Sequence, residues 1–595
     1  MRQPPAVAGG LPSTPTLPPS SPPDPADDDR LAEDNRAGAV ATAVSLGGGA
    51  STPDTDRIVV EPDAVDRSTP TGRLVNLALI LMVGTALSRI LGLVRESVTS
   101  SQFGTDGDVD AFVLADNVQS TIFELTSNGV LQAAMIPALA GLMVAAQGGV
   151  AEVRRAMGAL MTLILVATLV LTVAGIAWAP AVVAVLTGLF DVGDPPDQAT
   201  IDLTIELVRW ILPAVPLLGL GSVLMAGLHA AGRPAAPSLG SATRNGVFIV
   251  TALALSASIG IHSLALGTVL GALAIVVIQL PALRRVGLLV GPNLHLRHPA
   301  VGTVVRLSIP VTGSLIITTG VLVIDRNLAS GVSEGTVAAM RYATTLVQTV
   351  LGLVAAAVAL AALPSLSRHH EDDDSLAFAR TLRRALVFVT LLIVPVTLML
   401  TVLSEPVVRL IFQRGETTGA EAGQIRQALL GYLPGTLAAG YAQVLVFAFY
   451  ARKNTHTPLL ITGAGAVGYV VSAFALVGPL GMVGLVLANS VQWAVMLLGA
   501  LLLGHREFRG WRVLPWPIIA ASTAGGLLSS AVAFAASDAL GGAADDASVI
   551  ARLLTLATAA IALAVIYPAV LALGMKFFGV EIEIPDRLGG LLRRL

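Results

Sequence analysis

An all-α membrane protein of about fourteen transmembrane helices, built as two pseudo-repeated six-helix lobes with two helices appended, is the fold class that three observations predict. The 595-residue chain is 54% apolar and 13% charged, and its mean hydropathy is +0.78, which excludes the soluble globular classes. Its apolar residues gather in blocks of about twenty or more, long enough at about 1.5 Å per residue to cross a hydrocarbon core of about 30 Å. Segments of one half also return in the other. Ala111 through Pro137-Ala138-Leu139 lies over Ala338 through Pro364-Ser365-Leu366, an offset of 227 residues (338 − 111), and Arg233 to Pro237 is echoed by Arg452 to Pro458. Parallel repeats of this kind belong to alternating-access transporters, whose substrate site lies between the lobes.

The elements follow in order. Residues 1–70 are rich in Pro, Asp, Ser, Ala and Gly and cannot bury enough apolar surface to offset their ordering entropy, which predicts a disordered cytoplasmic tail. Met1-Arg2 runs into prolines where a signal peptide needs an apolar stretch. Six spans at about residues 74–94, 110–142, 156–178, 205–230, 237–258 and 263–283 form a first lobe, 74–285. Six more at about 303–326, 337–363, 384–404, 425–450, 457–477 and 481–503 form a second, 303–503. Spans at 514–535 and 550–573 complete the bundle as a segment over 514–575, and 576–595 is a second cytoplasmic tail. Alternate loops carry the basic residues, among them Arg154, Arg155, Arg233, Arg284, Arg285, Arg380, Arg383, Arg452 and Lys453, while the opposite set carries Asp191, Asp194, Asp197 and Glu334. Basic loops stay on the cytoplasmic side, so both termini are predicted to be cytoplasmic. One outer loop is discordant, with Arg409, Arg414 and Arg426.

With no cysteine, disulfides, thiolate metal sites and cysteine nucleophiles are excluded. The basic residues are scattered between apolar runs, so nucleic acid is not an expected partner. No phosphate-cradling GxxxxGK[ST] occurs, and no nucleophile-and-base arrangement stands out, which predicts a transporter that is neither an enzyme nor its own ATPase. Its energy would come from the membrane potential, a proton or sodium gradient, or consumption of product. No cofactor is expected.

Charged residues inside the spans carry the functional signal. Arg89 follows the apolar run Leu74 to Leu87, about 21 Å up the first helix, where a guanidinium costs at least about 2.5 kcal/mol unless it faces water or a counter-charge. Arg95 either shares that cavity, helped by a bend at Gly92, or snorkels to the outer interface. Asp110 suits either a cavity carboxylate or, with Asp108, the start of a helix. Glu124 lies too deep for a cap; it suits a neutral or paired structural carboxylate, a counter-ion for Arg89, or a protonatable coupling residue. Asp325-Arg326 and Arg341-Tyr342 should lie near the outer mouth, with a structural salt bridge as one reading. Arg244 should snorkel to the cytoplasmic end of its span. The run His369-His370-Glu371-Asp372-Asp373-Asp374 fits a solvated loop better than a metal site.

Ser88-Arg89-Ile90-Leu91-Gly92-Leu93-Val94-Arg95-Glu96, Phe103-Gly104, Asp110-Ala111-Phe112 and Pro137-Ala138-Leu139 resemble the opening signature of the MviN/MurJ-type lipid II flippases. The likeness continues through Glu334-Gly335-Thr336-Val337, Leu363-Pro364-Ser365-Leu366-Ser367, Phe412-Gln413-Arg414-Gly415 and Phe449-Tyr450-Ala451-Arg452, covering about residues 74–575. It implies a member of the multidrug/oligosaccharidyl-lipid/polysaccharide exporter superfamily in the bacterial inner membrane, flipping lipid-linked peptidoglycan precursor (lipid II) to the outer face by alternating access. Arg89, Arg95 and Asp110 match family residues important for flipping. Two family arginines are replaced, by Phe123 and Thr345, and Arg341, one helical turn before Thr345, stands in for the second. Some members bind sodium in the second lobe, and Asp325 is the residue that fits that pattern, although span eleven lacks the acidic and amide partners. The resulting substrate-site set is Ser88, Arg89, Arg95, Asp110, Glu124 and Arg341. Lipid II, the bilayer and cell-wall synthesis and division proteins are the implied partners. Other readings are a flippase for a different polyprenyl-linked glycan, a drug/cation antiporter, which the cationic cavity disfavours, or a transport-inactive scaffold recruiting cell-wall enzymes.

Overall fold

The computed structural model of the protein describes residues 70–128, 135–144, 149–190, 196–508, 513–542, 544 and 547–578. The expected N-terminal tail lies outside them, as does the C-terminal tail beyond 578.

Among the described residues every regular element is helical. Helix α1 spans Pro70–Phe103. Helix α2, Gly107–Phe123, runs into a π-helical turn at Glu124–Asn128, and α3 covers Ile136–Val144. Then come α4 (Gly149–Ala177), the short α5 (Ala179–Thr187), α6 (Gln198–Ile211), α7 (Ala214–Ala230), α8 (Ala235–Ile259) and α9 (His262–Arg285). The second half holds α10 (Pro299–Ser330), α11 (Thr336–Leu351) with a π turn at Gly352–Ala356, α12 (Ala357–Glu371), α13 (Ser375–Val402) and the short α14 (Ser404–Ile411). It closes with α15 (Gly419–Ala451), α16 (His456–Leu480) and α17 (Met482–Leu503), after which α18 (Trp516–Ala539) and α19 (Val549–Phe578) pair with each other.

Among the described residues eleven helical stretches are long and apolar enough to cross a membrane. The expected spans 74–94, 110–142 and 303–326 fall on α1, on α2 and α3, and on α10, which are helical but not among those eleven. The span expected at 205–230 is broken at Leu212-Pro213, because proline has no N–H to continue the ladder. Asp197 starts α6 by accepting the Thr200 N–H at 3.0 Å, and the Thr200 hydroxyl and N–H hold its carboxyl below the usual range.

The halves repeat in backbone detail. Their π turns lie 228 residues apart (352 − 124) and their short helices 225 apart (404 − 179). The glycines that end α8 and α16, Gly260 and Gly481, have φ/ψ of 56/−138° and 55/−131°, a conformation open to glycine alone.

The core explains where a cavity can form. One continuous cluster joins both halves by Phe103, from Val109 and Phe112 through Leu328, Tyr342 and Phe412, and runs on through the second half to Leu445, Phe449 and Phe378. At the opposite end, by Arg233, a separate cluster packs Met135, Leu160, Leu224 and Leu283 of the first half against Val304 of α10. The halves are thus joined through one apolar cluster by Phe103, and at the Arg233 end α10 packs against the first half.

Candidate functional site

Between the halves lies a cavity of about 600 Å³. One wall is α1 against α8, which approach closely because Gly84, Ser88 and Gly92 recur every four residues and so share a helical face. A Cβ on Gly84 would stand 2.8 Å from the Ser238 carbonyl oxygen. Ser88 Oγ bonds Ser241 Oγ at 2.7 Å, and Asn245 Nδ2 donates to the Ser88 carbonyl at 3.2 Å. That seam fixes the rotation of α1 and leaves Arg89 and Arg95 lining the cavity. The facing wall is α11 with Arg341, Thr344, Thr345, Gln348 and Thr349, and Arg326 from α10. The cavity extends from Glu96 and Arg341 down to Gly84 and to Ser238 in the first turn of α8, at the Arg233 end.

Its lining is strongly cationic. Arg89 rests against the backbone of Gly352 and forms no ion pair among the described residues. Arg95 pairs with Glu96 and lies 5.2 Å from the centre of the Phe248 ring. Arg244 lines the same space, which corrects the expectation that it snorkels: α8 packs against α1 and α9, and its side chain lines the cavity. At the roof Arg341 reaches Asp116 Oδ2 at 2.9 Å and Glu96 Oε1 at 3.3 Å. Arg89, Arg95, Arg244 and Arg341 against Glu96 and Asp116 leave a formal charge of +2 (4 − 2). Arg326 and Asp325, 3.4 Å apart, cancel. Such a site attracts an anion of about two charges, and guanidinium forks are shaped for phosphate oxygens.

Above the roof the halves are closed by hydrogen bonds. Asp110 accepts the N–H groups of Gly335 at 2.8 Å and Ala338 at 2.7 Å, capping α11 from the other half. In return Glu334 accepts the N–H of Gly107 at 2.9 Å, at the start of α2. The C-terminal turn of α1 is clasped by the segment after α14: Ser100 Oγ meets Thr417 Oγ1 at 2.6 Å and donates to the Phe412 carbonyl at 3.1 Å, while Glu416 N donates to the Ser101 carbonyl at 3.1 Å. Glu421 takes the N–H and hydroxyl of Thr105, both at 2.7 Å. Tyr342 stacks on Phe412 with centroids 5.2 Å apart and donates to the Gly104 carbonyl. Partial desolvation and the carboxylates of Glu421, Glu334, Asp108 and Glu416 push Asp106 up in the connecting turn.

The site residues read from the sequence are therefore distributed. Ser88, Arg89, Arg95 and Arg341 line one cavity. Asp110 does not; nor does it cap its own helix, because it is spent on α11. Glu124 is exposed and makes no ion pair with Arg89; depth along a helix gives height but not azimuth, and the π turn that begins at Glu124 alters the azimuth further. Phe123 packs beside Leu218 and Ala272, away from the cavity, whereas Thr345 faces it. Asp325 accepts the Tyr469 hydroxyl on Oδ1 and faces Arg326 on Oδ2. Asp374 caps α13, accepting from Leu376 and Ala377. Of the discordant outer arginines, Arg409 and Arg426 pair with Glu405 and Arg414 is exposed. Sequence reasoning missed Asp116, Glu96 and Arg244 as site residues. An Asp six residues beyond Asp110, inside the expected span 110–142, was the available signal for Asp116.

Comparison with known proteins agrees with this architecture. The family described as lipid II flippase MurJ matches residues 99–544. The chain is 30% identical over 433 residues to a probable lipid II flippase MurJ of Vibrio cholerae, covering 71% of this chain and 81% of that protein. A lipid II flippase MurJ of Burkholderia cenocepacia is 28% identical over 70% of this chain and 80% of its own length. Among solved structures, a lipid II flippase MurJ in an inward closed conformation superposes with a TM-score of 0.67 at 18% identity, over 84% of this chain and 100% of that one. An inward-facing multidrug transporter of the MATE family gives 0.61 at 15% identity, over 72% and 98%.

Proposed function

The chain belongs to the lipid II flippase MurJ family, and from that premise we propose that it carries lipid II across the bacterial inner membrane as a multi-pass transporter. The observation that carries the reading is the +2 cavity between the halves, a charge that matches the two negative charges of a pyrophosphate diester. Arg89, Arg95, Arg244 and Arg341 take the pyrophosphate, and the hydroxyl and amide groups of Thr344, Thr345, Gln348 and Thr349 take sugar and peptide. The prenyl chain stays in lipid. Basic residues mark the Arg233 end as cytoplasmic, so the sealed Phe103 end is outer and the cavity is loaded from inside. Rocking of the halves then delivers the head group outward. The reading is supported by the deep arginines, which a cation exporter would not need.

The test is lipid II translocation in proteoliposomes. The intact chain should move it, Arg89→Ala should insert normally and lose transport, and full transport by that variant would sink the assignment.

A further inference from the structure

Arg341 differs from the other cavity arginines in bridging the halves. It stands on α11, and both its carboxylate partners, Glu96 on α1 and Asp116 on α2, belong to the first half. The two carboxylates are not equivalent. Glu96 is also paired with Arg95 of its own helix, so it keeps a partner if Arg341 leaves. Asp116 has no other cation within ion-pair distance among the described residues and is buried at 6% exposure. Released from Arg341, it loses its one direct ion pair and keeps only the longer-range attraction of Arg95 and Arg244, an unfavourable state for a buried charge.

The same two helices meet at a second height. Asp110 lies six residues before Asp116 on α2, and Gly335 six residues before Arg341, in each case about 9 Å along the axis. An ion pair at the cavity roof and a helix cap above it therefore join α2 to α11, and outward opening must break both.

We propose that Asp116 is a latch displaced by the substrate's pyrophosphate. Asp116 holds Arg341 and keeps the outer seam shut until a phosphate oxygen takes over the guanidinium. The stranded carboxylate and the arriving phosphate then repel each other across the roof, which drives α2 away from α11 and weakens the Asp110 cap. Closure is thereby tied to cargo: the outer side opens when the cavity is loaded. This rests on the pyrophosphate reading above, and it makes Asp116 a positioning residue that acts through Arg341.

The experiment uses the absence of native cysteine. Ser100→Cys with Thr417→Cys places two thiols across the seam, where the native hydroxyls are 2.6 Å apart, so disulfide yield reports closure in proteoliposomes. The parent pair should crosslink readily and fall several-fold on addition of purified lipid II. With Asp116→Asn added, the yield should be low without lipid II and should not fall further, while lipid II binds at least as tightly as to the parent because Arg341 is free. Arg341→Gln reports the latch from the other side, with the same low yield before lipid II is added. Parent-like closure in both variants, or an undiminished response to lipid II in Asp116→Asn, overturns the latch. A parent that binds no lipid II would defeat the transport reading, and the comparison without lipid II would still decide whether Asp116 holds the seam.

Discussion

The guanidinium of Arg89 lies on the backbone of Gly352: a Cβ there would fall 2.7 Å from Nε and 2.9 Å from Cζ. Gly352 opens the second π turn, so an irregular turn in one half seats a cation from the other. Gly352→Ala should push Arg89 off its seat and weaken lipid II binding about tenfold, ~1.4 kcal/mol. Gly320→Ala on α10, with no neighbour within 4 Å, is the matched control. Equal binding by both variants would show that the Arg89 position is not critical.

Arg89→Lys should fall between the native protein and Arg89→Ala. An ammonium keeps the charge but loses the planar fork, a difference of about 1–2 kcal/mol for charge-assisted bonds to phosphate. Initial rates of lipid II translocation at matched protein density measure it.

Asp110→Ala should open the outer seam. It removes both acceptors from the start of α11, and loss of a cap costs about 1–2 kcal/mol, roughly tenfold in the ratio of closed to open. Accessibility of a cysteine placed at residue 105, closed off by Glu421 in the native structure, should rise accordingly, with Asp110→Asn intermediate.

Gly415→Ala should be more damaging to closure than any other single methyl group at the seam. Gly415 has φ +60°, and its Cβ would fall 1.9 Å from the Ser101 carbonyl oxygen, so both strain and collision oppose it. The disulfide yield of the 100/417 cysteine pair should drop several-fold.

Replacing sodium by choline should leave the melting temperature unchanged, because Asp325 is already engaged by Tyr469 and Arg326. A sodium site occupied at a hundred times its Kd would add about 2.7 kcal/mol of stability. A clear loss of Tm in choline would reinstate a sodium site.

Much of this was legible before any coordinates. Apolar blocks fix helices in a bilayer because every backbone polar group must be satisfied within the segment, so composition and block length determined the all-helical class. Unmatched charge is costly there, so Arg89 declared itself by depth, while Arg95 stood between the cavity and the outer interface. The repeat showed as a fixed offset of Ala and Pro positions, and it returned as paired π turns and paired glycine turns.

Azimuth and partner were not legible. Asp110 and Asp116 stand six residues apart on one helix, yet one caps a helix of the opposite half and the other holds its arginine. Arg244 reads as a snorkelling residue until α8 is packed against α1, and the sequence leaves Glu124 open between a structural carboxylate, a counter-ion and a coupling residue, where the structure shows its side chain exposed. The sequence alone determined which residues must be helical and which charges need an explanation, because those depend on the solvent each residue meets. Only the tertiary structure decided which charge answers which, because that depends on rotation about helix axes set by contacts, such as Gly84 on Ser238, between residues more than a hundred and fifty positions apart.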